Sequence, residues 1–392
     1  MQPLLIENAL LVRPGESIDK GSLLIDQGKI AAVNPDALPA GTVRLNADGK
    51  RLSPGLVDLH THGVGRFLYE NPEQIADASR FAASRGATCV FPTIVPLPGP
   101  ELLRKLDALV TAMENAPGVR LPGLHLEGPF MAVAGAACPL TDGDVSLLDD
   151  IIAACRGRLS IMSLSPDAKN IIPVIERLVE KKVVPFITHT RATGDQTQAA
   201  IAAGARHATH FYDVFYCPPD IDRGVRPMGV IEAFMADSRT TVDFICDGCH
   251  VQPLGVQAWT AALGWQRVML ITDSNIGAGL PEGVYDTPWG YPLRVKPGDG
   301  ARFASGPKAN ALCGSALTMD VGMANLLKWL PHLPPAQVWA MGSLNPARLM
   351  GLPALGRLEA GAEADLVLWS EQMAPVRVWV AGQNVFEAEE TA

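Results

Sequence analysis

The chain has 392 residues, 48% of them apolar and 19% charged, with a net charge of −9. That length accommodates one barrel-sized domain plus a smaller satellite, and the composition is that of a soluble, well-packed globule. The acidic balance argues against nucleic acid or an anionic membrane as partner, yet leaves a small anionic substrate open, since a few local cations can decide that.

The N-terminus, MQPLLIENALLVRPG, has no basic stretch ahead of an apolar run and does not read as a signal peptide. No apolar run reaches the roughly 18–20 residues of a membrane span. Seven cysteines, scattered and odd in number, fit a reducing compartment better than a disulfide framework, so a cytoplasmic enzyme is expected. Cys246 and Cys249 form a CxxC, which could suggest a zinc or redox site. With no second CxxC and no thioredoxin-like order around it, ordinary small side chains near a strand end are the better expectation.

Along the chain, LLIENALLV and GSLLIDQGKIAAV read as strands separated by polar and glycine-containing turns, and ADLVLWS and VRVWVAGQNVFE repeat that texture at the other end. Residues 1–53 and 355–392 are therefore expected to share one small β-domain around a barrel at 54–354. The middle offers eight apolar runs: GLVDLHTHG, ATCVFPTIV, LPGLHLEGPF, LSIMSLS, VVPFITHT, HATHFYDV, TVDFICDGCH and VMLITDS. Helical stretches lie between them. Asn71-Pro72-Glu73 opens one that runs to Gly86, with Asn as N-cap, Pro in the first turn and Gly as stop. Leu102 to Met113 and Ile171 to Lys182 show helical spacing of apolar residues.

Eight strands alternating with helices fit a closed (β/α)8 TIM barrel. A doubly wound open sheet is the alternative, but no GxGxxG follows the first middle strand. Polar residues close nearly every apolar run, which is where such a barrel keeps its active site.

The first run ends in His60-Thr61-His62, and residues i and i+2 of a strand face the same way, so both imidazoles can reach one metal. The third ends in His125-Leu126-Glu127-Gly128-Pro129, with Glu127 at the strand mouth and His125 deeper, in a packed or supporting position. The fifth and sixth end in His189 and His210, the seventh in Asp247-Gly248-Cys249-His250, the eighth in Asp273. Each alone could be a satisfied core group. Together they are hard to explain that way, because five of the eight histidines lie at strand ends that a barrel gathers. His207 and His332 receive no role.

Imidazole and carboxylate donors suit zinc, with iron and manganese as further candidates. His60, His62, Glu127, His189, His210 and Asp273 suffice for one or two divalent ions per subunit. A bound ion brings the pKa of its water towards about 7, and Asp273 has the chemistry to carry a proton from that water to a leaving amine.

PGLVDLHTHG, GLHLEGPF, HTRAT with AGARHATHFYDVF, DGCHVQP, ITDSN, GSALTMD, NPARLMG and LEAGAEADLVLW resemble the N-acetylglucosamine-6-phosphate deacetylases of the amidohydrolase superfamily. The resemblance spans nearly the whole chain. It implies a distorted TIM barrel with a small β-sandwich, a homodimer, and hydrolysis of an N-acetyl amino sugar. It implies that Glu127, His189 and His210 bind the principal metal, that His60 and His62 can hold a second, and that Asp273 is the general acid/base. His250 would contact the sugar or its phosphate side, and Gly314-Ser315 would line the acyl pocket. Between Glu127 and His189 the only lysines are Lys169, Lys181 and Lys182, none at a strand mouth. That favours Glu127 as bridge over the carboxylated lysine of other branches.

Three departures bear on substrate. Gly135-Ala136-Ala137-Cys138-Pro139 lacks the family's carbonyl-polarising histidine, and Ala137 stands in that pocket stretch. A second ion could supply that polarisation instead. Phe211-Tyr212-Asp213-Val214 replaces Tyr-Asn-Ala-Met, setting the Asp213 carboxylate where a phosphate would lie. Arg223 and Arg226 on the following loop could compensate, Arg226 being the better match to the family's phosphate arginine. Arg191 stands where the family has Asp or Asn and could bind a substrate anion, or simply pair with a nearby acid. The alternative to an amino-sugar substrate is another N-acyl or cyclic amide in a remodelled pocket.

Overall fold

A computed structural model describes residues 2–135 and 139–389. Strands β1 (Leu4–Arg13), β2 (Ser17–Asp26), β3 (Lys29–Val33), β4 (Val43–Asn46) and β5 (Arg51–Pro54) open the chain. The barrel begins with β6 (Leu56–Thr61), followed by a small hairpin of β7 (Gly63–Val64) and β8 (Phe67–Leu68). It continues through β9 (Ala87–Ile94), β10 (Leu124–Glu127), β11 (Leu159–Leu164) and β12 (Val184–Ile187). The last three barrel strands are β13 (His207–Ala208), β14 (Thr241–Ile245) and β15 (Val268–Ile271). A three-stranded antiparallel sheet of β16 (Gly283–Tyr285), β17 (Leu293–Lys296) and β18 (Gly300–Phe303) follows. Finally β19 (Leu366–Trp369), β20 (Pro375–Val380) and β21 (Gln383–Glu387) return to the start of the chain.

Both ends of the chain meet in one sheet of order β21-β20-β19-β5-β1-β2-β3, with β4 also pairing β1. The long strand β1 divides one edge between β4, at Leu4–Glu7, and β5, at Leu10–Leu11. The sheet encloses its own apolar core, which includes Ile6, Leu11, Leu23, Leu52, Leu366 and Trp379.

The eight barrel strands run parallel in the order β15-β14-β13-β12-β11-β10-β9-β6. Residues of β6 and β9 are buried on both faces, which is why these runs read as nearly unbroken apolar segments rather than as alternation. The first and last strands meet just past their ends. Asp273 N–H donates to the His60 carbonyl at 2.8 Å, and His62 N–H to that of Ser274 at 2.9 Å. Deeper in this seam, the Asp58 carboxylate accepts from the Thr272 hydroxyl at 2.6 Å and the Thr272 amide at 3.2 Å. Burial pushes the Asp58 carboxyl up to about 7 against those hydrogen bonds.

Outer helices pack by their apolar stripes. Pro100–Met113 buries Leu102, Leu106, Leu109, Val110 and Met113, the i, i+4, i+7 spacing of one face. The Asn71 expectation is corrected in detail. Asn71 makes no side-chain cap, Pro72–Gln74 forms a 3-10 turn, and the helix runs from Ile75 to Ala83. The sixth barrel strand is only His207–Ala208, much shorter than the apolar run HATHFYDV. No described helix is long and apolar enough to cross a membrane.

Candidate metal centre

Glu127, the last residue of β10, is almost wholly buried and divides its carboxylate between two histidine pairs. Its Oε1 lies 3.0 Å from His189 Nε2 and 3.1 Å from His210 Nε2. Its Oε2 lies 3.2 Å from His62 Nε2 and 3.8 Å from His60 Nε2. Asp273 completes the second group, with Oδ1 at 3.3 Å from His62 Nε2 and 3.5 Å from His60 Nε2. Six side chains from five barrel strand ends thus converge as the sequence led one to expect.

The backbone is bent to achieve this. His189, His210 and Asp273 have φ of 44°, 36° and 46°, left-handed values that are uncommon for non-glycine residues and cluster at functional sites. Neighbours pin each turn. The Ser165 hydroxyl donates to the His189 carbonyl at 2.7 Å, and Asp243 Oδ1 accepts the His210 amide at 2.5 Å. Thr209 Oγ1 sits 3.0 Å from His60 Nδ1 and fixes that ring. The sequence reading missed Thr209, Thr188 (3.0 Å from His210 Nε2), Ser165 and Asp243, although the repeated Thr-His steps at 188–189 and 209–210 were a signal.

The electrostatics fit a cation. His60 Nε2 and His62 Nε2 face each other at 3.4 Å, where at most one can donate usefully. Asp273 Oδ1 is buried without a hydrogen-bond partner. Burial opposes charge on His62 and His210, but the surrounding carboxylates push both up to about 10. His60 is held well below its ordinary range, by burial and by the neighbouring His125. Burial disfavours charge on Glu127, yet hydrogen bonds from His189, His210 and His62 hold it well below the usual carboxylate range. A buried set of nitrogen and oxygen donors drawing positive charge to its middle is what a divalent ion requires. His60, His62 and Asp273 form one such group of donor atoms, and His60, Glu127 and His210 another.

His125 has both ring nitrogens engaged, with Leu59 O at 2.7 Å and Ser163 Oγ at 2.6 Å, which leaves it a packed, supporting group. His250 Nδ1 is 2.8 Å from Asp247 Oδ2. Burial opposes its charge, but Asp247, Asp213 and Asp273 raise it. Asp213 is half-buried beside this group, its carbonyl 3.4 Å from His210 Nδ1. The Val214 carbonyl accepts the Thr190 amide at 3.1 Å. A β-carbon on Gly135 would stand 2.3 Å from the His189 ring and 3.0 Å from Val214 Cγ1, so the chain passes close against that ring there. Ala137 lies outside the described residues.

The three arginines are not drawn into the cluster. Arg226 is exposed and bound to Glu232 at 3.0 Å. Arg191 is exposed over the Tyr216 ring, its guanidinium carbon 4.8 Å from the centroid; Asp167 accepts its amide, not its side chain. Arg223 is exposed, with its amide on Asp222. Cys246 is buried, and Cys249 turns its sulfur to the Gly298 carbonyl at 3.3 Å; both are free thiols.

Comparison with known proteins places these observations. The family model described as "Amidohydrolase family" matches residues 51–385. N-acetylgalactosamine-6-phosphate deacetylase of Escherichia coli O157:H7 is 29% identical, over 93% of this chain and 95% of that protein. N-acetylglucosamine-6-phosphate deacetylase of Vibrio furnissii is 29% identical, over 93% and 90%. Among solved structures, a mutant N-acetyl-D-glucosamine-6-phosphate deacetylase from Mycobacterium smegmatis, in complex with N-acetyl-D-glucosamine-6-phosphate, is 31% identical with a TM-score of 0.84. The match covers 98% of this chain and 99% of that one.

Proposed function

Because the chain belongs to the amidohydrolase family, we propose that it hydrolyses the acetamide bond of an N-acetylated amino-sugar phosphate, with N-acetylglucosamine-6-phosphate as the first substrate to test. The observation that carries this is the division of the Glu127 carboxylate between His189–His210 and His60–His62, with the free Asp273 oxygen beside it. Relatives named for the glucosamine and the galactosamine substrate align over comparable lengths, so the epimer at C4 belongs in the same test.

One or two divalent ions, zinc before iron or manganese, would be held by Glu127, His189 and His210, with His60, His62 and Asp273 available for the second. Such ions supply Lewis acidity and let water ionise near neutral pH, at about 7. Asp273 accepts the proton that the attacking water loses and returns it to the amine nitrogen as the carbon–nitrogen bond breaks. Charge on His250, held by Asp247, suits it to the hydroxyls or phosphate of the sugar. Gly314 would border the acetyl group, and Asp213 and Val214 the sugar. Arg191, Arg223 and Arg226 are candidates for the phosphate, Arg223 being the one with no side-chain partner among the described residues.

A second reading, another N-acyl or cyclic amide in a remodelled pocket without a phosphate site, draws on Arg226 and Arg191 being engaged elsewhere. The proposal also includes a homodimer, with exposed Tyr216, Ile221, Val225 and Met228 available for the contact, and a reducing, cytoplasmic setting for the free cysteines. The unit at 1–53 and 355–392 and the barrel at 54–354 are its domains.

The deciding experiment measures amine release by metal-replete protein from both 6-phosphates, from N-acetylglucosamine and from other N-acyl amines. Preference for a 6-phosphate supports the first reading. Turnover confined to unphosphorylated amides favours the second, and no amide hydrolysis under any metal overturns both.

A further inference from the structure

We propose that Asp243, braced by His207, is a positioning residue for His210, and through it controls how tightly the Glu127–His189–His210 side of the centre holds its ion. The inference rests on the metal-centre reading above. β13 ends after two residues, and Thr209 N–H still donates to Ile187 O at 3.1 Å before the chain turns left-handed at His210. That turn takes the next two amides off the ladder, where buried donors need other partners. One residue of β14 receives both. Asp243 Oδ1 accepts the His210 amide at 2.5 Å, and the Asp243 carbonyl accepts the Phe211 amide at 3.0 Å.

Asp243 is wholly buried, and no lysine or arginine pairs with it among the described residues. Its other oxygen lies 2.8 Å from His207 Nε2. His207 Nδ1 lies 2.7 Å from the Thr241 hydroxyl, and the ring packs on Phe186 with centroids 4.2 Å apart. The Thr241 hydroxyl donates to Nδ1 at 2.7 Å in preference to the Arg206 carbonyl at 3.4 Å, so Nε2 carries the proton and donates to Asp243. His210 Nδ1 meanwhile faces the Asp213 carbonyl at 3.4 Å, leaving Nε2 aimed at Glu127 Oε1. The geometry therefore links a buried His–Asp pair, itself too far inside to meet substrate, to the direction of a ligand nitrogen.

Partners that orient a metal ligand are typically worth ~10–100-fold in metal affinity or activity. The test is chelator competition for zinc, and the absorption spectrum of the cobalt(II) form, in wild type, D243A, D243N and V242A. D243A should lose ~10–100-fold in affinity and shift the cobalt bands. D243N keeps an acceptor for the His210 amide but a weaker, uncharged one, and should lose about 3–10-fold. V242A weakens the same strand from its other face and should keep wild-type affinity. Wild-type affinity and spectrum in D243A, or in D243N should D243A not fold, would overturn the proposal. So would an equal loss in V242A, which would make the effect one of general stability. Failure of the wild-type protein to take up metal is a different result: it sinks the metal-centre reading, and this inference with it.

Discussion

Gly314 lies against the main chain of Asp273: a β-carbon there would stand 2.7 Å from the Asp273 carbonyl oxygen, which also accepts the Ser315 amide at 2.7 Å. The φ of Gly314 is 54°, so a side chain is opposed both by its own backbone and by the neighbour. Gly314→Ala should push the Asp273 turn away from the histidines. Since a displacement of about 1 Å at a reacting group can cost ~10²-fold, kcat should fall by that order with KM changed far less. Steady-state kinetics checks this, and unaltered kcat would separate the Gly314 loop from Asp273 positioning.

Asp273 and Glu127 should fail in different ways. Asp273→Asn removes a proton carrier and should cost about 10²–10⁴-fold in kcat while much of the metal remains. Glu127→Gln replaces one of two equivalent oxygens by an amide nitrogen that cannot ligate, so it should lose metal outright. Metal content per chain by mass spectrometry, set beside activity, distinguishes the two. Full metal in the Gln variant would contradict a bridging Glu127.

Asp213→Asn tests where a phosphate would sit. Two like charges at the mouth of the site repel by about 1 kcal/mol or more, which is roughly five-fold in binding. KM for N-acetylglucosamine-6-phosphate should therefore drop about five-fold, with no change for the unphosphorylated sugar. Equal effects on both sugars would place the phosphate away from Asp213.

Arg120 offers a prediction far from the centre. Its guanidinium donates to Asp365 at 2.7 and 3.1 Å and to Glu363 at 2.6 Å, tying the strand-flanking loop of the barrel to the terminal sheet. Asp365 is nearly fully buried, and burial raises its carboxyl despite Arg120. Arg120→Met should cost about 3 kcal/mol at pH 7, the low end for a broken buried pair because 32% of the Arg120 side chain is exposed. A carboxyl raised on folding favours the folded state below its unfolded pKa and loses that contribution as pH rises through the folded one. Removing Arg120 raises it further, so the gap between variant and wild type should narrow as pH falls from 7 towards the carboxylate range. Thermal unfolding at a series of pH values checks the sign.

The convergence of these six side chains was legible because each ends an apolar run, and parallel barrel strands bring their carboxyl ends to one rim. His60 and His62 needed only strand alternation. What could not be read was pairing between distant side chains. Nothing local in the sequence joins Asp243 to His210 or Asp58 to Thr272, and both links depend on register between strands. Arg226 shows the converse. Its place in the chain suggested a phosphate partner, and nothing there pointed to its ion pair with Glu232, six residues on. The shortness of β13 was hidden because the apolar run continues through Phe211 and Val214 while the backbone has already turned.

The seam between β6 and β15 carries a consequence for how the protein matures. His60 and His62 lie on one side of it and Asp273 on the other, joined by the Asp273–His60 and His62–Ser274 hydrogen bonds. An ion held by all three would act as a rivet across the closure. A nascent chain has no such site until its eighth barrel strand has docked beside its first. Metal loading would then report completed folding, and metal starvation should show itself first as opening along that line, in faster amide exchange at His62 and Asp273 than at Leu126 or Phe244.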